Sequence, residues 1–342
     1  MLYRLLKIPA RIALWMYCRQ LRVNNKAIFD SRGPLLLACN HPNSFLDAII
    51  LSSLFKQPVY SLARGDVFAK GFFSRLLRSL KMLPVYRTSE GAQNMEHNYS
   101  TFAACKEIFK RNGIVLIFSE GRCINEWHLR PLKKGTARLA ISAWEEGIAV
   151  TVLPVGINYQ SFQGFGKNIH LLFGRPITKN DIDRESGFGK SVQSFNQLLL
   201  AELQPLVYEI EPQDLSKRKK IFAVDLSPAI KILLLAPAIF GYVLHAPLYY
   251  PAVFITRKTS KYNDHYDSIL VAILFLAYPL YLLLICWCVY LGNFTNYWWL
   301  MLILLPFCGW SCMQLAPQFT SAKPHEEQKL IRPSSDKKHG VS

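Results

Sequence analysis

Acidic residues are scarce in this 342-residue chain: 23 Asp and Glu stand against 40 Lys and Arg, a formal net charge of +17. That surplus suits anionic membrane surfaces, phosphorylated substrates or nucleic acid. Paired cysteine spacing is also missing. Cys18, Cys39, Cys105 and Cys123 are scattered through the first half, and Cys286, Cys288, Cys308 and Cys312 lie in apolar segments. No disulfide framework emerges, and the eight His show no zinc spacing, so neither a metal nor a cofactor is expected. No Gly-x-Ser-x-Gly elbow surrounds Ser44 or Ser119, which argues against a covalent hydrolase. Long charge-free apolar runs are absent before residue 227 and frequent after it. The chain therefore divides into a soluble-type domain and a membrane region.

Residues 1–23 interleave Leu5, Leu6, Ile8, Ile12 and Trp15 with Arg4, Lys7, Arg11, Arg19 and Arg22. They lack the unbroken apolar core of a signal peptide and read as a basic amphipathic helix in the membrane interface. From about 33 to 215 apolar runs alternate with helical patterns. Strands are expected at 35–38, 59–63, 82–86, 114–118, 150–155 and 169–173, and helices at 47–55, 68–80, 95–111, 136–146 and 192–207. The unbroken run Ile114–Phe118 reads as a strand buried on both faces. The fold class is thus α/β, a mixed and largely parallel sheet flanked by helices, followed by C-terminal hydrophobic membrane helices. The amphipathic stretch 72–81 is expected to pack an apolar stripe on the core beneath a charged face.

The expected domains are an N-terminal membrane-associated helix over 1–25, a catalytic domain over 26–215, a membrane region over 216–320 and a disordered tail over 321–342. Lys217-Arg-Lys-Lys220 reads as a solvated linker or a contact with acidic headgroups. Segments 269–291 and 297–316 are long enough to span a bilayer. Segment 227–255 holds Pro228, Pro237, Pro247 and Pro251. A single crossing there would place Arg257, Lys258 and Lys261 outside, against the positive-inside tendency, so a re-entrant or interfacial segment is expected, with the catalytic domain cytoplasmic.

The chemistry centres on Asn40-His41-Pro42-Asn43-Ser44-Phe45-Leu46-Asp47, between a strand and a helix. Imidazole titrates near neutrality, and a carboxylate on its far nitrogen fixes the tautomer and stabilises the imidazolium. Three further blocks end strands: Leu83-Pro-Val-Tyr-Arg87, Phe118-Ser-Glu-Gly-Arg122 and Val152-Leu-Pro-Val-Gly156. If the strands are parallel, all four gather at one sheet edge. The loop Leu129–Gly135 brings Lys133 and Lys134 to a helix N-terminus, a ready anion site.

These four ordered blocks resemble the glycerophospholipid acyltransferase family over roughly residues 30–160. The resemblance implies transfer of a fatty acyl group from an acyl-CoA or acyl-carrier protein thioester to a hydroxyl of glycerol-3-phosphate, a lysophospholipid or dihydroxyacetone phosphate. It places the general base on His41, its partner on Asp47, a phosphate-contacting Arg on Arg87 and acceptor binding on Glu120 and Gly121. Arg122, Lys133 and Lys134 share the substrate-binding role. Two departures stand out: five residues rather than four separate His41 from Asp47, and Ser119 occupies a position that is usually Pro. The turn before the helix must absorb the extra residue. A membrane-associated serine lipase or thioesterase using Ser44 or Ser119, a basic nucleic-acid-binding protein and a membrane scaffold are the competing readings. No nucleic-acid motif supports the second of these, so membrane lipids and no nucleic acid are the expected partners.

Overall fold

The computed structural model describes residues 2–69, 71–86, 92–183, 187–261, 263–292 and 296–319. Arg87, residues 293–295 between the last two apolar segments, and the tail after residue 319 lie outside the described residues. The helices and strands run, in chain order, α1 (Leu2–Tyr17), β1 (Cys18–Val23), β2 (Leu35–Cys39), α2 (Ser44–Leu54), β3 (Val59–Arg64), α3 (Gly71–Ser79), β4 (Met82–Val85), α4 (Ala92–Lys110), β5 (Ile114–Phe118), α5 (Gly135–Glu145), β6 (Thr151–Tyr159), β7 (Lys167–Phe173), α6 (Phe188–Leu203), α7 (Leu215–Phe222), α8 (Pro228–Thr259), α9 (Tyr266–Leu291) and α10 (Met301–Leu315).

The seven strands form one sheet in the order β1-β7-β6-β2-β5-β3-β4. Every pairing is parallel except β6 with β7. The central strands carry no polar alternation because helices cover both faces. Leu35, Leu37, Leu116, Leu153 and Val155 point to one core, and Leu36, Ala38, Val115, Ile117 and Val152 to the other. The first core is closed by α1 and α2, the second by α4, α5 and α6.

Three sequence expectations change. Residues 1–23 are not one helix: α1 stops at Tyr17, and Cys18–Val23 adds a parallel edge strand beside β7. Arg19 therefore leaves the basic helix face, and its guanidinium donates to the carbonyls of Met313 at 2.7 Å and Ala316 at 2.5 Å. In α3, Phe72 and Phe73 are exposed and Leu76 and Leu77 only half-buried, so the expected stripe is covered in part rather than packed into a core. The basic cluster at 217–220 lies on α7 rather than on a linker, with Arg218 buried over the Trp127 ring at 4.9 Å.

Helix α1 docks through its polar side chains. Tyr3, Lys7 and Arg11 donate to the carbonyls of Ser52, Ser53, Leu54, Phe55 and Lys56. These include the last carbonyls of α2, which have no partner within their own helix. The docking leaves Leu5, Ile8, Ile12 and Trp15 exposed.

Three helices, Pro228–Thr259, Tyr266–Leu291 and Trp298–Leu315, are long and apolar enough to cross a membrane. Helix α8 keeps one helical run through Pro237, Pro247 and Pro251. Both of its ends adjoin the α/β domain. Val224, just before it, donates to Gln318, which also accepts from Asn168 of β7. In its second half Tyr249 meets Phe165 edge-on, and just past its other end the Asp264 carbonyl accepts from the Asn125 side chain at 3.5 Å. Small residues let α8 and α10 approach closely. A Cβ at Gly241 would lie 2.1 Å from the Cys308 carbonyl oxygen.

Gly156 is explained by packing in the same way. It does not end its strand, since β6 continues to Tyr159, and a Cβ there would sit 2.1 Å from the Leu206 carbonyl oxygen. Gly156→Ala is expected to destabilise by about 1–3 kcal/mol, the usual cost of overpacking. Thermal unfolding measures this, and an unchanged Tm would show that the 204–206 turn can move aside.

Candidate active site

Strand β2 is level with β5 at Cys39–Phe118 and with β6 at Cys39–Val155, all parallel. Their C-terminal ends therefore open on one edge. There β2 runs through Asn40 into the His41 turn, β5 into Ser119–Arg122, and β6 on to Tyr159. The buried Asn40 side chain donates to the Ile157 carbonyl at 3.0 Å and accepts from the Ile157 N–H at 2.8 Å. This paired contact fixes the start of the turn to β6.

The turn absorbs its extra residue in left-handed backbone: Ser44, the first residue of α2, has φ 51°. Asp47 then lies in the first turn of α2 with its Oδ2 2.9 Å from His41 Nδ1. Helix N-termini favour a carboxylate. The Asn43 N–H donates to the same oxygen at 2.8 Å, and the Tyr159 hydroxyl donates to Oδ1 at 2.7 Å. Asp47 has no solvent exposure, so these donors replace its hydration. Burial first, and the Asp47 charge second, hold the Tyr159 phenol well above its ordinary range, which keeps it a donor. The His41 ring stacks on Phe118 with centroids 3.7 Å apart. With Nδ1 turned to Asp47, Nε2 is the nitrogen left to exchange a proton with a substrate.

Glu120 is buried beside the His41 turn. Its Oε2 accepts the His41 N–H at 2.8 Å and its Oε1 the Arg130 N–H at 3.0 Å. The carboxyl thus straps the His41 turn to the loop after β5, and both oxygens are engaged by main chain. Gly121 has φ 67°, a conformation suited to glycine, and a Cβ there would press on the Lys133 stem at 3.1 Å. Arg122, Lys133 and Lys134 are exposed at this edge and form no ion pair with the described residues. Lys134 caps α5, so the lysines flank a helix N-terminus.

Both competing serines are buried. The buried Ser119 hydroxyl pairs with that of Thr136 at 3.0 Å, and Ser44 is buried with its N–H on Cys123 Sγ at 2.9 Å. Cys123 is held well above the ordinary thiol range by burial and then by Asp47, so it stays protonated. Among the described residues no group of three or more His, Cys, Asp or Glu is placed to hold a metal ion. Sequence reasoning missed Tyr159 as the second donor to Asp47, because strand length alone decides how far β6 reaches.

Tyr159→Phe removes one donor from a buried carboxylate. It is expected to cost about 1–3 kcal/mol of stability and to lower turnover more than substrate affinity. Equal Tm and turnover in the variant would show that Oδ1 is satisfied by other means. Glu120 supplies a pH test. Burial, outweighing its two main-chain hydrogen bonds, raises its carboxyl from 4.5 to about 7. The folded state then binds more protons than the unfolded state between those values, so stability falls as pH rises through the window. The Tm of the wild-type protein should drop more between pH 5 and pH 8 than that of Glu120→Gln, which cannot titrate there. Parallel curves would contradict the raised carboxyl.

Residues 20–158 match the family model named Acyltransferase. The sequence matches no curated protein. Among solved structures, the crystal structure of the 1-acyl-sn-glycerophosphate (LPA) acyltransferase PlsC from Thermotoga maritima is similar over 58% of this chain and 79% of that one, at 16% identity and a TM-score of 0.40. The stretch that is similar to the acyltransferase family, residues 20–158, contains the His41–Asp47 pair.

Proposed function

We propose that this protein moves a fatty acyl group from an acyl thioester, acyl-CoA or acyl-carrier protein, to a hydroxyl of glycerol-3-phosphate or a lysophospholipid such as lysophosphatidic acid, at a membrane. The observation that carries the reading is the His41–Asp47 contact of 2.9 Å inside the family segment, at the open edge of the parallel sheet. His41 Nε2 takes the proton of the acceptor hydroxyl as its oxygen attacks the thioester carbonyl. The C–O bond forms, the C–S bond breaks, and the imidazolium returns the proton to the leaving sulfur. Asp47 holds the ring and stabilises the imidazolium. Holding donor and acceptor together supplies much of the acceleration without an acyl-enzyme. Arg122, Lys133 and Lys134, with the α5 N-terminus, are suited to the acceptor phosphate, and the family resemblance adds Arg87.

Membrane attachment is supported by the apolar surface beside the site. Leu5, Ile8, Ile12 and Trp15 of α1 and Phe45 and Ile49 of α2 are exposed on two helices that pack together. Because both ends of α8 meet the catalytic domain, α9 and α10 are proposed to cross outward and back. Lys217–Lys220, Arg257, Lys258 and Lys261 then remain with the catalytic domain on the cytoplasmic side, as the positive-inside tendency favours.

The test is acyl transfer by the purified full-length protein, with both donor types against glycerol-3-phosphate, lysophosphatidic acid and dihydroxyacetone phosphate. His41→Ala is expected to lower turnover on the order of 10²–10⁴-fold while remaining folded. Thioester hydrolysis without any acceptor, or near-normal transfer by a folded His41→Ala protein, would overturn the proposal.

A further inference from the structure

A second buried charge lies directly behind the His41 turn, and it comes from outside the family segment. Asp267, in the first turn of α9, has no solvent exposure. Its counter-charge is Lys167, at the start of β7, which is also buried. Asp267 Oδ2 accepts from Tyr17 Oη at 2.7 Å and from Asn43 Nδ2 at 2.9 Å, and its Oδ1 accepts the Gly164 N–H at 2.9 Å. A buried carboxylate with this many donors has little freedom to move, because each lost contact leaves a charge without hydration.

Asn43 joins this cluster to the chemistry. Its side chain is held by Asp267, while its main-chain N–H donates to the Asp47 oxygen that also contacts His41. It directly precedes Ser44, whose positive φ lets five residues fit between His41 and Asp47. A non-glycine residue in left-handed backbone is tolerated when its surroundings fix it. The Lys167 ammonium also lies 5.3 Å from the Tyr17 ring centroid and 5.9 Å from that of Tyr159, the other donor to Asp47.

We propose that Asp267, on the membrane helix α9, is a positioning residue for acyl transfer: through Asn43 it sets the turn that aligns Asp47 with His41. The inference rests on reading His41 and Asp47 as the catalytic pair. It makes the C-terminal apolar region part of the active site's support as well as an anchor.

The experiment uses the full-length protein in lipid nanodiscs, measuring kcat and KM for donor and acceptor together with Tm. The variants are Asn43→Ala, the pair Asp267→Ala with Lys167→Met, the combination of all three, and His41→Ala. The paired change removes both buried charges at once and so avoids stranding one of them. Asn43→Ala and the paired change should each lower kcat on the order of 10- to 100-fold, the effect of a small misplacement of reacting groups, with KM nearly unchanged. The combined variant should be no slower than the slower of the two, because both cut the same link. Wild-type kcat in the paired variant, or penalties that multiply in the combined one, would overturn the proposal and leave Asp267 as a structural anchor. If the paired variant does not fold, Asn43→Ala decides: reduced kcat at unchanged KM supports the link, and unchanged kcat overturns it. Acyl transfer surviving in His41→Ala would instead overturn the reading of the catalytic pair.

Discussion

A carboxylate without solvent exposure is the constraint around which this domain is arranged. Asp47 needs donors in place of water, and they arrive from separate parts of the chain: His41 and the Asn43 N–H from its own turn, Tyr159 from β6. Each is fixed in turn by the sheet. The register of β2 with β6 sets Ile157 beside Asn40, and two residues further along the strand reaches Asp47. Glu120 closes the other side by strapping the His41 N–H to the loop after β5. The geometry of the His41–Asp47 pair is therefore a property of three adjacent parallel strands ending together, not of the eight-residue block alone.

The basic surplus is divided among different tasks. Lys7 and Arg11 satisfy carbonyls at the end of α2, and Arg19 satisfies carbonyls at the end of α10. Arg218 covers Trp127, and Lys167 neutralises Asp267 in the interior. These charges join elements. Arg122, Lys133 and Lys134 stay exposed at the sheet edge, where an anionic substrate would meet them. A net charge of +17 therefore overstates the charge available for electrostatic attraction.

Much of the fold was legible in the sequence. The buried strands 35–38 and 114–118 announced themselves as unbroken apolar runs, and the helices between them by their period. The His41–Asp47 pair was legible because both partners lie in one short segment. Glu120 was picked out, but its two main-chain hydrogen bonds, to His41 and Arg130, were not legible. Strand β1 was hidden because six residues after an amphipathic helix carry too few positions to distinguish a period of 2 from one of 3.6. The exposure of Phe72 and Phe73 in α3 was not legible because an apolar stripe has the same pattern whether it meets a core or faces outward.

The sequence by itself determined the layered α/β class, the apolar C-terminal segments and the pairing of His41 with Asp47. Those depend on local composition and on residues close together in the chain. The tertiary structure alone decided that Tyr159, Asn43 and Asp267 converge behind His41, across separations of 112 residues for Tyr159 to Asp47 and 224 for Asn43 to Asp267. A hydrogen bond is made over about 3 Å and leaves no periodicity in the sequence around either partner. Only strand order, register and helix docking bring such partners together.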